Sequence, residues 1–196
     1  MGSKLDFVLA SASPRRKELL SGMGLRFSVV PSRVDEKTDH TEPALLVCEL
    51  SARKALDVHS MCPGSVIIGA DTVVAVDGEI LGKPKDEFDG RRMLGLLSGR
   101  EHEVFTGVTV IMPDGSTATE CCRSAVFFKE LTPEEIDAYV AVGEYCDKAG
   151  AYAIQGRAAV FVEKIEGCYS NIVGLPLPTL YRMLGQKGVN LWEQTI

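Results

Sequence analysis

Phe7-Val-Leu-Ala-Ser-Ala-Ser-Pro-Arg-Arg-Lys17 is the stretch from which the fold is read. Phe7–Ala10 is a short apolar run, as in a buried strand, and Glu18-Leu-Leu-Ser-Gly22 continues as a helix. Pro14 suits a first helical position, where its missing N–H costs nothing. A strand feeding a helix through small residues presents backbone N–H groups at the helix's positive end. Arg15, Arg16 and Lys17 stand beside those donors, although cations are disfavoured at that end of the dipole. A bound polyanion would account for them; an ordinary solvated basic turn is the bland alternative.

Outward from this junction, strand and helix patterns alternate. Phe27–Val30 reads as a strand, and Pro43–His59 as an amphipathic helix with Leu46, Leu50, Ala52 and Leu56 among its apolar positions. Val66–Ala70 is apolar throughout, as in a strand covered on both faces; Asp71 ends it and Val73–Val76 continues extended. Asp77-Gly78 turns the chain into Glu79–Leu81, and Asp86–Leu97 follows as a helix. Glu103–Met112 and Thr117–Phe128 are two long strands joined at Pro113-Asp-Gly115. Thr132-Pro-Glu-Glu135 is a capping box opening a helix over Pro133–Val142. Val160–Ile165 reads as another strand, and Ile172–Leu184 ends as a helix. The pattern predicts an α/β fold: an elongated mixed β-sheet with flanking helices, forming two lobes around a cleft. All of residues 1–196 belong to one domain in this reading, since neither repeats nor a linker interrupt them.

Composition narrows the function. A net charge of −6 with one local basic cluster argues against stable nucleic-acid binding, which calls for a broad positive face. It suits the grip of one small, highly charged anion. Six cysteines, at 48, 62, 121, 122, 146 and 168, form no C-x-x-C pair and have no histidine at zinc spacing. They read as small apolar residues of a reduced interior. No apolar run reaches membrane-spanning length and the N-terminus lacks a signal-peptide core, so the expected location is cytoplasmic, away from membranes. Met1-Gly2 is not read as a myristoylation site, because position 6 is Asp.

The remaining polar residues are individually ambiguous. Asp71 follows a buried run, where a carboxylate must be paired, hydrogen-bonded or bound to a cation; capping a turn is the structural alternative. Lys83 stands between Gly82 and Pro84, Glu36 closes a loop after the second strand, and Lys54 sits late in its helix. Gln155-Gly156 sets an amide beside a flexible residue, where it can read a nucleobase edge or cap a strand. Two carboxylates, four cations and an amide suit a nucleoside triphosphate with a divalent metal.

The segments Leu9–Arg16, Leu50-Ser-Ala-Arg-Lys-Ala55, Gly69-Ala-Asp-Thr72, Leu81-Gly-Lys-Pro84, Phe105-Thr-Gly-Val108, Lys148-Ala-Gly150, Gln155-Gly156 and Asn171-Ile-Val-Gly-Leu-Pro-Leu177, in that order, resemble the Maf family of nucleotide pyrophosphatases. The resemblance spans nearly the whole chain. It implies a fold akin to inosine triphosphate pyrophosphatases. It also implies release of pyrophosphate from a nucleoside triphosphate with Mg²⁺ or Mn²⁺, a house-cleaning role and a possible homodimer. Gln155-Gly156 and Asn171–Pro176 resemble the branch acting on dTTP and UTP, from which Cys168 and Ile172 depart mildly. Carried over, Asp71 matches the catalytic proton acceptor, and with Glu36 it would share the metal. Arg15, Thr72 and Gln155 match positions tied to substrate choice, and Ser11, Arg16, Lys54 and Lys83 the rest of the polar pocket. A 7-methyl-GTP pyrophosphatase, or a nucleotide-binding regulator of septum formation without turnover, is the alternative.

Overall fold

The computed structural model describes residues 5–194; the Met1-Gly2 and N-terminal leader readings rest largely on residues outside that range. In chain order the elements are β1 (Phe7–Leu9), α1 (Pro14–Gly22), β2 (Phe27–Val29), α2 (Pro43–Met61), β3 (Val66–Val76), β4 (Glu79–Leu81) and α3 (Glu87–Leu97). Then come β5 (Glu101–Ile111), β6 (Thr117–Phe128), α4 (Pro133–Ala141), β7 (Val162–Glu166), α5 (Tyr169–Val173), α6 (Leu177–Gln186) and α7 (Leu191–Gln194). Short 3₁₀ turns lie at Ala149–Ala151 and Arg157–Phe161. The seven strands form one mixed sheet in the order β2-β1-β3-β5-β6-β7, with β4 on β3. β1 runs parallel to both β2 and β3, while β3–β4 and β6–β7 are antiparallel. The expected α/β fold with a mixed sheet and flanking helices is what the chain adopts. No described helix is long and apolar enough to cross a membrane.

The chain divides into two compact units, and the division falls within β3, between Asp71 and Thr72. The first comprises Met1–Asp71, Thr106–Cys122 and Gly174–Ile196. Its strands alternate as a two-faced sheet requires. Phe7, Leu9, Val66, Ile68, Ala70, Val108 and Val110 pack with Leu20 of α1 and Leu180, Met183 and Leu184 of α6. Val8, Ala10, Ile67 and Ile111 face the other way, against Ala55 and Val58 of α2. The apolar stripe of α2 is therefore Val47, Leu50, Ala55 and Val58; Leu56, expected to belong to it, is exposed.

Two glycines set how closely α2 lies on the sheet. A Cβ on Gly107 would stand 2.2 Å from the Val47 carbonyl oxygen and 2.8 Å from the Cys48 nitrogen. One on Gly69 would stand 2.5 Å from the Ser51 carbonyl oxygen and 2.9 Å from Ala55 Cβ. The helix backbone thus rests directly on β5 and β3, where any side chain would prop it away. Ser51, fully buried at this contact, donates to the Cys48 carbonyl, and its hydroxyl lies 3.0 Å from that of Thr109. Thr109 in turn pairs with Thr119 at 2.9 Å.

The second unit comprises Thr72–Phe105 and Arg123–Val173. The hairpin between β3 and β4 has Asp77 and Gly78 both at positive φ, 49° and 80°, the conformation a type I′ turn needs. Its core holds an aromatic group in which Phe128 meets His102, Tyr152 and Phe161 edge to face, with Tyr139 against Phe161. Asn171 is buried and structural: its amide donates to the Val104 carbonyl and to the Ser124 hydroxyl, each at 3.0 Å. Ser124 also bonds both the N–H and the carbonyl of Cys168.

Two expectations are corrected and one is refined. Val160–Ile165 is not one strand: Arg157–Phe161 coils as 3₁₀ and β7 begins at Val162. The expected helical end of Ile172–Leu184 is α6, not a continuation of α5, from which Gly174-Leu-Pro176 separates it, with Gly174 at φ 125°. Nor are the cysteines core residues, since five are half-buried and Cys146 is exposed.

Two stability predictions come from this packing. Gly107→Ala forces α2 off β5, and overpacking of this kind costs about 1–3 kcal/mol or more. Urea denaturation should show that loss, with an unchanged m-value. The second concerns His102, whose Nε2 lies 2.9 Å from the Tyr152 hydroxyl while its Nδ1, also buried, has no partner. Burial lowers the imidazole from 6.5 to about 4. The unfolded chain therefore takes up a proton below pH 6.5 while the folded chain stays neutral down to about 4. This contribution is complete above the first value and lost through that window, by about 3 kcal/mol. The denaturation midpoint of His102→Gln should fall less than that of the parent between pH 7 and pH 4.

Candidate active site

The close seating of α2 puts Lys54 within reach of β3. Gly69 and Asp71 are two residues apart on one strand and share a face, and Lys54 directly precedes Ala55, which packs beneath Gly69. Lys54 Nζ lies 2.6 Å from Asp71 Oδ1 and 2.6 Å from Glu36 Oε1. The side chains of Lys54 and Asp71 are each only 11% exposed, and that of Glu36 is 54% exposed. One buried ammonium thus draws two carboxylates to a single point. Asp71 is the middle residue of a continuous strand and not its terminus, so turn capping does not explain it. Lys54 likewise lies inside α2, well before its last turn, and its placement owes nothing to the helix dipole.

Ser11, Arg15 and Arg16 come from the junction of β1 with α1, whose N-cap, Ser13, makes no side-chain capping bond. Ser11 Oγ accepts from the Ser13 N–H at 3.2 Å and from Arg16 Nη1 at 3.2 Å. Arg16 Nε donates to the Gly174 carbonyl at 2.7 Å. Arg16 is buried, not a solvated surface cation. Burial above all lowers its guanidinium from the ordinary value; the charges of Asp71 and Glu36 oppose that shift and Arg15 adds to it. Arg16 thus lies near enough to Arg15, Glu36 and Asp71 to feel their charges.

The other three candidates belong to the second unit. Thr72 is half-buried on β3, and Lys83 and Gln155 are exposed. Gly150, at φ 67°, donates its N–H to the Gly82 carbonyl at 3.1 Å, and a Cβ there would meet Val74 at 2.9 Å. That contact ties down the turn carrying Lys83. The Gln155 turn is braced on both sides: the Tyr139 hydroxyl accepts from the Ala153 N–H at 3.2 Å, and Glu144 Oε2 from the Arg157 N–H at 2.8 Å. A Cβ on Gly156 would stand 2.2 Å from Glu144 Oε1, so a larger residue there would displace the carboxylate that holds the Arg157 N–H.

Among the described residues no group of three His, Cys, Asp or Glu side chains converges to hold a metal ion. The donors at hand are the two carboxylates sharing Lys54. This suits Mg²⁺ or Mn²⁺, which bind through one or two carboxylates and complete their shell with substrate phosphates and water. The residues fit such an ion, with Lys54 as the cation they hold otherwise.

Sequence reasoning missed the tie from Arg16 to Gly174 and the role of Ser51. A basic residue after Ser-Pro and a serine inside an apolar helix carry no local sign of their distant partners. Only the glycine in each of Gly69-Ala-Asp-Thr72 and Phe105-Thr-Gly-Val108 hinted at a close approach.

A family model described as Maf-like protein matches residues 6–187. A dTTP/UTP pyrophosphatase of Moorella thermoacetica is 50% identical over 187 residues, covering 94% of this chain and 96% of that one. The dTTP/UTP pyrophosphatase of Geotalea uraniireducens is 51% identical over 190 residues, covering 96% and 98%. Among solved structures, a HAM1 protein of Coxiella burnetii and the Ham1 protein of Staphylococcus aureus match with TM-scores of 0.52 and 0.51. They are 14% and 13% identical, each alignment covering 93% of this chain and 99% of theirs, a likeness of fold alone. With a matching family model and relatives at half identity over nearly its full length, the chain belongs to the Maf family.

Proposed function

We propose that the protein hydrolyses dTTP and UTP to the nucleoside monophosphate and pyrophosphate, residues 1–196 acting as one catalytic domain. The relatives' activity supports the reaction class. The observation that carries the site is the buried Lys54 ammonium, 2.6 Å from both Asp71 and Glu36.

In this reading Asp71 takes the proton of the attacking water, and the Lys54 hydrogen bond holds its carboxylate in one orientation. Arg15 and Lys83 bind phosphate oxygens and stabilise the charge that builds on the departing pyrophosphate. Arg16, engaged with Ser11 and Gly174, keeps the β1–α1 junction in shape and adds a fixed positive charge. Glu36 and Asp71 would hold the divalent cation, which supplies Lewis-acid neutralisation of phosphate charge when bound. Thr72 and Gln155 choose the nucleotide. A primary amide offers donor and acceptor together, matching the acceptor and N3–H donor of uracil and thymine.

Asp71→Asn should keep the fold and lose about 10²–10⁴-fold in kcat for dTTP. Pyrophosphate release at saturating Mg²⁺, with circular dichroism as the fold control, decides it; near-parental turnover removes Asp71 from the mechanism. The same assay separates turnover from a purely regulatory nucleotide binder, which would release no pyrophosphate.

Gln155→Ala tests substrate choice. Unpaired buried polar groups cost roughly 1–3 kcal/mol each, so kcat/KM for dTTP and UTP should fall about 10- to 100-fold relative to 7-methyl-GTP. Equal losses on all three nucleotides would make Gln155 structural and withdraw the pyrimidine preference.

A further inference from the structure

Glu36 stands on a stretch without regular structure. Residues 30–42, between β2 and α2, form neither helix nor strand, and over half of the Glu36 side chain is exposed. Such a place offers no helix or strand to direct a carboxylate, yet Glu36 meets Lys54 at 2.6 Å. The constraint comes from α2. Glu49, Arg53 and Asp57 succeed one another four residues apart and so form one stripe of the helix.

Along that stripe the segment is gripped in sequence. Asp57 Oδ2 accepts from the Arg33 N–H at 2.9 Å. Arg53 Nη1 donates to the Lys37 carbonyl at 2.6 Å and, at 3.5 Å, to that of Asp35. Arg53 Nη2 pairs with Glu49, whose other carboxylate oxygen accepts from the Thr38 hydroxyl and lies 3.5 Å from His40 Nε2. The two carbonyls that one guanidinium nitrogen holds are those on either side of Glu36. Arg53 is also the residue directly before Lys54, so the grip and the target of Glu36 lie side by side on α2.

We propose that Arg53 is the positioning residue for Glu36, fixing the backbone on both sides of it so that its carboxylate stays at Lys54 and available to a divalent cation. The inference rests on the proposed role of Glu36 as a cation ligand. The device calls for arginine: a planar fork reaches two carbonyls and a carboxylate at once, whereas an ammonium is a single point of donation. The exposed Arg53–Glu49 pair adds little stability by itself; its effect is on where Glu36 points.

Arg53→Lys tests this in the full chain. Backbone amide hydrogen exchange over residues 35–39 should quicken about tenfold with the rest of the unit unchanged, a local opening of the kind that exposed loops show. The Mn²⁺ concentration for half-maximal dTTP hydrolysis should rise about tenfold, the low end for residues that orient a metal's ligands, with kcat at saturating Mn²⁺ within about twofold. Glu36→Gln should shift the Mn²⁺ dependence without quickening exchange, and adding Arg53→Lys to it should shift that dependence no further. Unchanged exchange in Arg53→Lys, or fully additive Mn²⁺ shifts, would overturn the positioning role. Glu36→Gln with a parental Mn²⁺ dependence would instead remove Glu36 from the cation site, and the exchange measurement alone would then decide whether Arg53 holds the segment.

Discussion

The direct contact between the α2 backbone and the sheet is the constraint on which the first unit depends. Gly69 and Gly107 leave no side chain between the helix and the strands, and Ser51 and Ala55 are small enough to complete the fit. Because a helix placed this close cannot slide or roll without collision, the side chains on its flanks acquire fixed directions. Lys54 is aimed at a β3 carboxylate from one flank, and the Glu49–Arg53–Asp57 stripe faces the 30–42 segment from another. The geometry of the candidate site is thus a property of helix height above the sheet. The site residues inherit their accuracy from two positions that carry no functional group.

Much of this was legible in the chain. The junction over Phe7–Lys17, the Asp77-Gly78 hairpin and the Thr132–Glu135 box follow local rules, and α1, β4 and β6 begin and end where the pattern places them. Asp71 was found because a carboxylate after an apolar run is costly unless something meets it. Its position inside a strand was hidden, since a charge interrupting a hydrophobic run looks like an ending when its cation, Lys54, is remote in sequence. Leu56 misled for a related reason. A helix with apolar residues on several sides does not announce its buried face, which the small pair Ser51 and Ala55 decides. The 3₁₀ turn at Arg157–Phe161 failed from β-branched and aromatic content, read as strand where tertiary packing prevailed.

The second unit fastens its connections by backbone bonds to side chains from elsewhere in the unit. Asn171, a motif residue by resemblance, fastens α5 to β5 and β6 through Val104 and Ser124. Tyr139 and Glu144 do the same for the turn bearing Gln155, leaving that amide exposed on a rigid base. Gln155 thus stands on a loop whose backbone is held by the buried Tyr139 and the half-buried Glu144, which gives that turn a fixed geometry without a strand or helix of its own.

The bond from Arg16 to the Gly174 carbonyl bears on how the chain matures. It joins the first helix to a residue 158 positions later, and the core around it includes Leu175, Leu180, Met183, Leu184 and Leu191. The first unit's interior therefore cannot close on a ribosome until those last residues have emerged, whereas every part of the second unit has been made by Val173. At typical synthesis rates of about 5–20 residues per second, β1 and α1 wait roughly ten to thirty seconds for their partners, their apolar surfaces open to chaperones. The β1–α1 junction is thus made early and ordered late.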